Sequence, residues 1–306
     1  MWSPFTPLLS IAAGIIGNFQ QPFNTSQGGI VALSNSQFAE FTPYIEFARA
    51  AYCAPNKIAG WQCGDACHAL PGFVPTLTGG DGDGTQFFYV GFWPAQSMVV
   101  VAHQGTNPSD LLAVLTDIHF HFVKPNPTLF PRIPSDARIH SGFALEHEKT
   151  AYKILAEVKR LMAEHSSTQV AIIGHSLGGA LAELDTLSIK LNLPAGTTVR
   201  GVTFGKPRVG DAAWATFFDS QVSEFTRINN KRDIVPIVPG RLLGFRHPHG
   251  EIHIEPDGSV VACSGADDGT DPQCSDKLVG NIENGSIADH SGPYNGILIG
   301  TESCTP

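Results

Sequence analysis

The sequence predicts an α/β fold with a mostly parallel central sheet and helices on both of its faces. Strand and helix signals alternate through the middle of the chain, the pattern that lays neighbouring strands parallel and passes helices over them. Hydrophobic residues make up 42% of the chain and charged residues only 15%, so it can bury a sizeable core instead of staying disordered. No internal repeat and no Ser/Gly linker divides it. The 306 residues therefore read as one large domain over 38–306, preceded by a signal-like or accessory segment, 1–37.

Within that leading segment, 7–17 is apolar and rich in small residues, the make-up of a secretory signal core. It lacks a Lys or Arg ahead of it, and a short helix packed on the domain is the alternative. Asp81-Gly82-Asp83-Gly84-Thr85 reads as a turn before a strand. It fails as a calcium loop, because its sixth position is not Gly and its twelfth is Phe92. Stretches 86–91 and 98–103 read as strands. Stretch 146–165 reads as an amphipathic helix with Tyr152, Leu155, Val158 and Leu161 on its apolar face. A short strand at 169–173 leads into a helix over 177–191, which carries Leu177, Leu181, Leu184 and Leu187 on one face and stops before Pro194 and Gly196. Strands at 197–204 and 224–229 follow. Stretches 251–255 and 259–263 flank Pro256-Asp257-Gly258, a hairpin signal. No apolar run reaches the roughly 18 residues that suggest a membrane-spanning helix.

Lys and Arg number 19 against 28 Asp and Glu, a formal net charge of −9 at pH 7. Without excess cations to neutralise phosphates, the chain is not a nucleic-acid binder. The cysteines are Cys53, Cys63, Cys67, Cys263, Cys274 and Cys304. Their even number, with one late in the chain, suits disulfides in an oxidising compartment. Zinc is the rival reading: Cys63 and Cys67 have a ligand spacing, but no second close pair completes a set. The sequons Asn24-Thr25-Ser26 and Asn284-Gly285-Ser286 fit a secreted, glycosylated chain.

The strongest chemical signal is Gly174-His175-Ser176-Leu177-Gly178-Gly179-Ala180. It follows one strand and opens the next helix, the context in which Gly-x-Ser-x-Gly presents a nucleophile. So tight a turn strains the serine backbone, and Gly174 and Gly178 remove side chains that would collide across it. The Ser176 hydroxyl is lifted clear of the sheet, with the helix N-terminus aimed at the same point. The Leu177 N–H can then hold an anionic tetrahedral intermediate. His175 points away from its neighbour on such a turn and reads as structural.

The orienting acid and the base should follow the serine in that order. Asp233 lies just past the strand at 224–229 and is the candidate acid. Asp211, before Ala212-Ala213-Trp214, reads as a helix cap instead. The histidines beyond Asp233 are His247, His249, His253 and His290. The first three could share a strand face and a metal, but Pro248 and Gly250 interrupt the strand, and no metal is assigned. His290, in a loop beyond the hairpin, is the candidate base, taking the Ser176 proton and oriented by Asp233.

These segments occur together with Val100-Val101-Ala102-His103-Gln104-Gly105-Thr106, Ile139-His140-Ser141-Gly142-Phe143 and Thr203-Phe204-Gly205-Lys206-Pro207-Arg208-Val209-Gly210. Asn230-Lys231-Arg232-Asp233-Ile234-Val235-Pro236 and Asp289-His290-Ser291-Gly292-Pro293-Tyr294 complete the set. In these segments and their order the chain resembles the fungal class 3 lipases, an α/β-hydrolase family that also includes feruloyl esterases, and within it the basidiomycete branch. The resemblance runs from Phe38 to Cys304. It implies Ser176 as nucleophile, Asp233 as acid, His290 as base, and Thr106 as an oxyanion donor beside Leu177. It implies the disulfides Cys53–Cys304, Cys63–Cys67 and Cys263–Cys274. It also implies a lid after Thr106, where Leu111, Leu112, Val114 and Leu115 share a greasy face that would shut over the site in water and open on lipid. The stretch after this lid, with Pro125, Pro127, Pro131 and Pro134, is longer and richer in Pro than the family pattern.

The expectation is a secreted serine hydrolase of carboxylic esters, foremost acylglycerols, acting on lipid or another ester at a lipid–water interface. It needs no cofactor, and a monomer is favoured. A feruloyl esterase or general carboxylesterase with the same triad is the alternative; the lid leucines speak for lipid. A metal-binding protein built on His247, His249 and His253 is a rival from another class. A catalytically dead binding module is disfavoured, because no triad member is missing.

Overall fold

The computed structural model describes residues 29–107, 121–265, 267, 270–300 and 304. The apolar segment 7–17, Asn24 and the lid residues Leu111, Leu112, Val114 and Leu115 lie outside the described residues. Among the described residues the strands of the central sheet are β1 (Val31–Leu33), β2 (Val74–Gly79), β3 (Phe88–Trp93), β4 (Met98–His103), β5 (Gln169–His175), β6 (Thr198–Phe204), β7 (Glu224–Asn230), β8 (Glu251–Ile254) and β9 (Val260–Ala262). They lie in the order β1-β9-β8-β7-β6-β5-β4-β3-β2. From β4 to β8 each strand runs parallel to the next. The edges are antiparallel: β2 and β3 on one side, β9 and β1 on the other. Because β1 is laddered to β9, the folded domain takes in Val31, ahead of the boundary at Phe38 read from the sequence.

The helices that matter for the site are α1 (Thr42–Ala50), α2 (Ser141–Glu148), α3 (Ala151–His165), α4 (Leu177–Asn192) and α5 (Ala212–Gln221). Strand alternation sorts them into layers. Val100 and Ala102 of β4 and Ala171 and Ile173 of β5 pack with Ile45, Phe47 and Ala48 of α1 on one face. Val99, Val101, Val170 and Ile172, one residue out of phase, pack on the other with Ile154, Val158 and Leu161 of α3 and Ala182 and Ile189 of α4. Trp214 and Phe218 of α5 close over the outer side of α4, against Leu184 and Leu187.

The structure corrects two details of the helix reading. The stretch 146–165 is two helices, since Thr150 leaves helical geometry at φ −123° and ψ −26°. The break lets His147 of α2 turn inward to Asp185 while α3 buries Ala151, Ile154, Val158 and Leu161; Tyr152 faces outward. Helix α4 is buried from Gly178 to Ile189 rather than along one face. Its buried polar groups are matched: Asp185 Oδ2 and Oδ1 lie 2.8 Å from His103 Nε2 and His147 Nε2, and Ser188 donates to the Leu129 carbonyl.

Asp81 Oδ1 accepts from the Asp83 and Thr85 N–H groups, making the turn before β3. The cysteines pair as Cys53–Cys304, Cys63–Cys67 and Cys263–Cys274. None of the described helices is long and apolar enough to cross a membrane.

Candidate active site

β5 ends at His175 and α4 begins at Leu177, leaving Ser176 alone between them at φ 58° and ψ −130°. That region is unfavourable for any residue with a Cβ, and it marks stored strain. The turn is possible because its flanks are bare: a Cβ on Gly174 would collide with the Gly178 carbonyl, and one on Gly178 with the His103 carbonyl. Ser176 holds the capping position of α4 yet makes no side-chain cap bond. Its backbone is fixed instead, through its N–H to the Phe204 carbonyl at 2.9 Å and its own carbonyl from the Gly179 N–H at 2.9 Å. The hydroxyl is therefore not spent on the helix, while the first-turn N–H groups, Leu177 among them, point from the helix end toward the same place.

Asp233 follows the end of β7, where its N–H donates to the Asn230 carbonyl. Its Oδ1 accepts from the Val235 N–H at 2.9 Å, and its Oδ2 from His290 Nδ1 at 2.8 Å. Asp233 and His290 are each 2% exposed. A carboxylate only accepts, so His290 carries its proton on Nδ1 and presents a lone pair at Nε2. That Nε2 is buried and makes no hydrogen bond to any described residue.

The loop bearing His290 is stitched to the acid strand. Asn230 Nδ2 donates to the Asp289 carbonyl, the Arg232 N–H to Asp289 Oδ2, and the Ser286 N–H to the Arg232 carbonyl. Gly205, at φ +52°, forms the floor: a Cβ there would stand 2.6 Å from Asp233 Oδ2, 2.9 Å from His290 Nδ1 and 2.9 Å from Tyr294 Oη. Burial, with the Asp233 charge beside it, pushes the Tyr294 hydroxyl pKa far up, so it stays a donor; it donates to the His290 carbonyl.

β4 delivers the remaining piece. It ends at His103, and a Cβ on Gly105 would stand 2.8 Å from the Ser176 Cβ. Thr106, half-buried, is thus one residue from the contact with the serine. The structure brings Ser176, Leu177, Thr106, Asp233 and His290 to one end of the parallel strands. It places the rivals elsewhere. Asp211 caps α5, accepting from the Trp214 N–H at 2.8 Å. His247 Nε2 donates to the Pro236 carbonyl, His249 pairs with Asp219, and His253 lies between the Gln273 and Lys231 carbonyls. Among the described residues, the ligand-type group close enough to share an ion is Glu251, Cys263 and Cys274, whose cysteines form a disulfide. Sequence reasoning missed Gly205, Tyr294 and Tyr52 as parts of the site. Tyr294 stood within a quoted motif, whereas Tyr52 carried no local signal.

In sequence and in fold the chain is similar to known lipases. Residues 100–243 match the family model for lipase (class 3). A secreted mono- and diacylglycerol lipase of Malassezia globosa is 33% identical over 223 residues, 72% of this chain and 70% of that one. Among solved structures, lipase II from Rhizopus niveus superposes with a TM-score of 0.77 at 26% identity, covering 89% of this chain and 99% of that one. A triacylglycerol lipase whose catalytic centre is described as a serine protease triad superposes with a TM-score of 0.76 at 26% identity, covering 90% of this chain and 100% of that one. Sheet order, strand–serine–helix turn and acid–histidine pair are those of an α/β-hydrolase, and with a relative this similar over so much of both chains, the protein belongs to the class 3 lipase family.

Proposed function

We propose that this protein is a secreted serine hydrolase that cleaves the carboxylic esters of acylglycerols. The observation that carries the reading is His290, anchored at Nδ1 by Asp233 and holding Nε2 buried and unengaged. In this mechanism Ser176 attacks the ester carbonyl as His290 Nε2 takes its proton. Asp233 keeps the tautomer and stabilises the imidazolium. The Leu177 N–H and Thr106 hold the oxyanion. The proton then passes to the departing alcohol. Water, deprotonated by the same His290, cleaves the acyl-enzyme and frees the acid.

The substrate assignment is supported by relatives named as mono- and diacylglycerol or triacylglycerol lipases. Secretion is supported by relatives named as secreted and by three disulfides, which persist in oxidising surroundings. The same setting makes Asn284, exposed within its sequon, an acceptor for an N-linked glycan.

The deciding experiment is initial rate against concentration of a partly soluble triacylglycerol, taken through its solubility limit. A rate that jumps as droplets appear, and vanishes in Ser176→Ala, establishes a lipase that responds to an interface. A smooth saturating curve lost in Ser176→Ala keeps the nucleophile and reassigns the enzyme as a general or feruloyl esterase. Activity that survives in Ser176→Ala overturns the nucleophile.

A further inference from the structure

His175 is 1% exposed and lies inside the site, yet the proton path above does not use it. Both of its ring nitrogens are committed. Nε2 is 2.9 Å from the His290 carbonyl oxygen, and Nδ1 is 2.6 Å from the Tyr52 hydroxyl. A carbonyl only accepts, so Nε2 must carry the proton. Nδ1 is then a lone pair, and the Tyr52 hydroxyl must donate to it. Burial foremost, and the neighbouring His290 next, hold the His175 pKa well below its ordinary value, which keeps the ring neutral and in this tautomer. The His290 carbonyl is thus held by two donors, His175 and the Tyr294 hydroxyl at 3.0 Å. At the other end of the chain of bonds, the Tyr52 hydroxyl abuts the backbone of Gly105, where a Cβ would collide with it, directly before Thr106.

We propose that Tyr52 and His175 are positioning residues, a hydrogen-bonded relay that aims the His290 imidazole at Ser176 and ties that aim to the strand end bearing Thr106. The inference rests on the triad reading above. Proton transfer depends on geometry: misplacing a reacting group by about 1 Å can cost on the order of a hundredfold in rate. The His290 ring hangs from a backbone whose carbonyl is gripped by His175. Without the Tyr52 hydroxyl, the buried Nδ1 has no donor. The imidazole is then held at Nε2 alone and free to tilt, which weakens its grip on the His290 carbonyl. The base loop then loosens, while no change is made to a group that contacts substrate in the proposed mechanism. The expected signature is a loss in kcat with little change in KM. The acid limb of the kcat/KM profile also moves, because His290 sits less firmly against Asp233.

The test uses the full chain and a soluble short-chain p-nitrophenyl ester, with Tyr52→Phe, His175→Gln, His175→Leu and Ser176→Ala. Tyr52→Phe should lower kcat by about tenfold or more, leave KM within about twofold and shift the acid limb. His175→Gln keeps an N–H able to reach the His290 carbonyl and should retain more activity than His175→Leu. Wild-type kcat with an unmoved pH profile in Tyr52→Phe overturns the relay. If Tyr52→Phe does not fold, the His175 pair decides: equal activity in His175→Gln and His175→Leu overturns the relay, and a Gln advantage with a moved acid limb upholds it. Activity that survives in Ser176→Ala overturns the triad reading and the relay with it; activity lost there beside an unaffected Tyr52→Phe overturns the relay alone.

Discussion

Lys206 and Glu183 form an ion pair at 2.5 Å in which neither side chain has any solvent exposure. The ammonium also donates to the Pro207 carbonyl at 3.1 Å and to His247 Nδ1 at 2.9 Å. The other carboxylate oxygen of Glu183 accepts from Trp214 Nε1 at 2.8 Å. Lys206 directly follows Gly205, the floor beneath Asp233 and His290, and Glu183 lies on α4 about two turns beyond Ser176. The pair thereby fastens the helix that follows Ser176 to the floor beneath Asp233 and His290.

Breaking that pair from one side should be far worse than removing it. Lys206→Met leaves a buried carboxylate and Glu183→Leu a buried ammonium, and each should cost about 3–5 kcal/mol. The double variant Lys206→Met/Glu183→Leu should recover most of the loss. Urea unfolding of the four proteins reads this directly; simple addition of the two losses in the double variant would refute the coupling.

The strained backbone at Ser176 separates two variants that the proposed mechanism makes equally inactive. Ser176→Ala keeps a Cβ in the unfavourable region and should leave stability near that of the parent. Ser176→Gly removes it and should gain about 1 kcal/mol, the lower end of the strain held by such residues. Thermal or chemical unfolding of both decides the matter, and a Ser176→Gly protein less stable than Ser176→Ala by about 1 kcal/mol, the entropy that glycine costs at an ordinary position, would mean that the turn is not strained.

Acid should weaken the fold before it protonates the carboxylates. Burial foremost, with His121 nearby, lowers the His140 pKa to about 4, and its Nδ1 accepts from the Gly142 and Phe143 N–H groups as the cap of α2. Burial likewise lowers His175 and His247. The unfolded chain binds these protons near pH 6.5 and the folded chain only below, so stability is full above about pH 6.5 and falls as pH drops toward 4. Asp185, taken down to about 2 in spite of burial by His147 and His103, adds a further loss only in stronger acid. His140→Asn supplies a cap that does not titrate, and should flatten the slope between pH 6.5 and 4. An unchanged slope in urea titrations would assign the effect to other groups.

Asn284 should carry a glycan when the chain is made in a eukaryotic secretory pathway. Asn284 is exposed, but Ser286 of the same sequon is bridged to Asp233, and Gly285 packs so closely that a Cβ would collide with Ile234. Transfer must therefore precede the docking of this loop. Peptide-N-glycosidase should lower the mass of the secreted protein, and Ser286→Ala should remove the Asn284 increment. An Asn284 peptide that is unmodified throughout would sink the assignment.

Where local pattern decides structure, the sequence is legible. The apolar run 98–103 is β4, and Asp211 ahead of a helix is its cap. The Gly-His-Ser-Leu-Gly turn needs little beyond its own glycines. What escapes is decided at a distance. The break at Thr150 is invisible because helical periodicity continues across it; it accompanies the reach of His147 to Asp185, 38 residues on. β1 is too short a run to announce itself, and only its ladder to β9 makes it a strand. Thr106 is singled out by family resemblance and by no local chemistry. Tyr52 is marked by neither, since its place follows from a partner 123 residues away.

That spacing has a consequence for how the protein comes alive. Tyr52 and His175 are separated by 123 positions, and His175 and His290 by another 115. The proposed reactive centre is therefore drawn from three distant parts of the chain, and contacts this non-local form slowly, whereas helices form from local ones. During refolding, far-ultraviolet ellipticity should return first and ester cleavage last. In the proposed mechanism, a nascent chain that has passed Ser176 but not yet supplied His290 holds its nucleophile with nothing to deprotonate it, so ester hydrolysis inside the producing cell waits until the whole domain has been made.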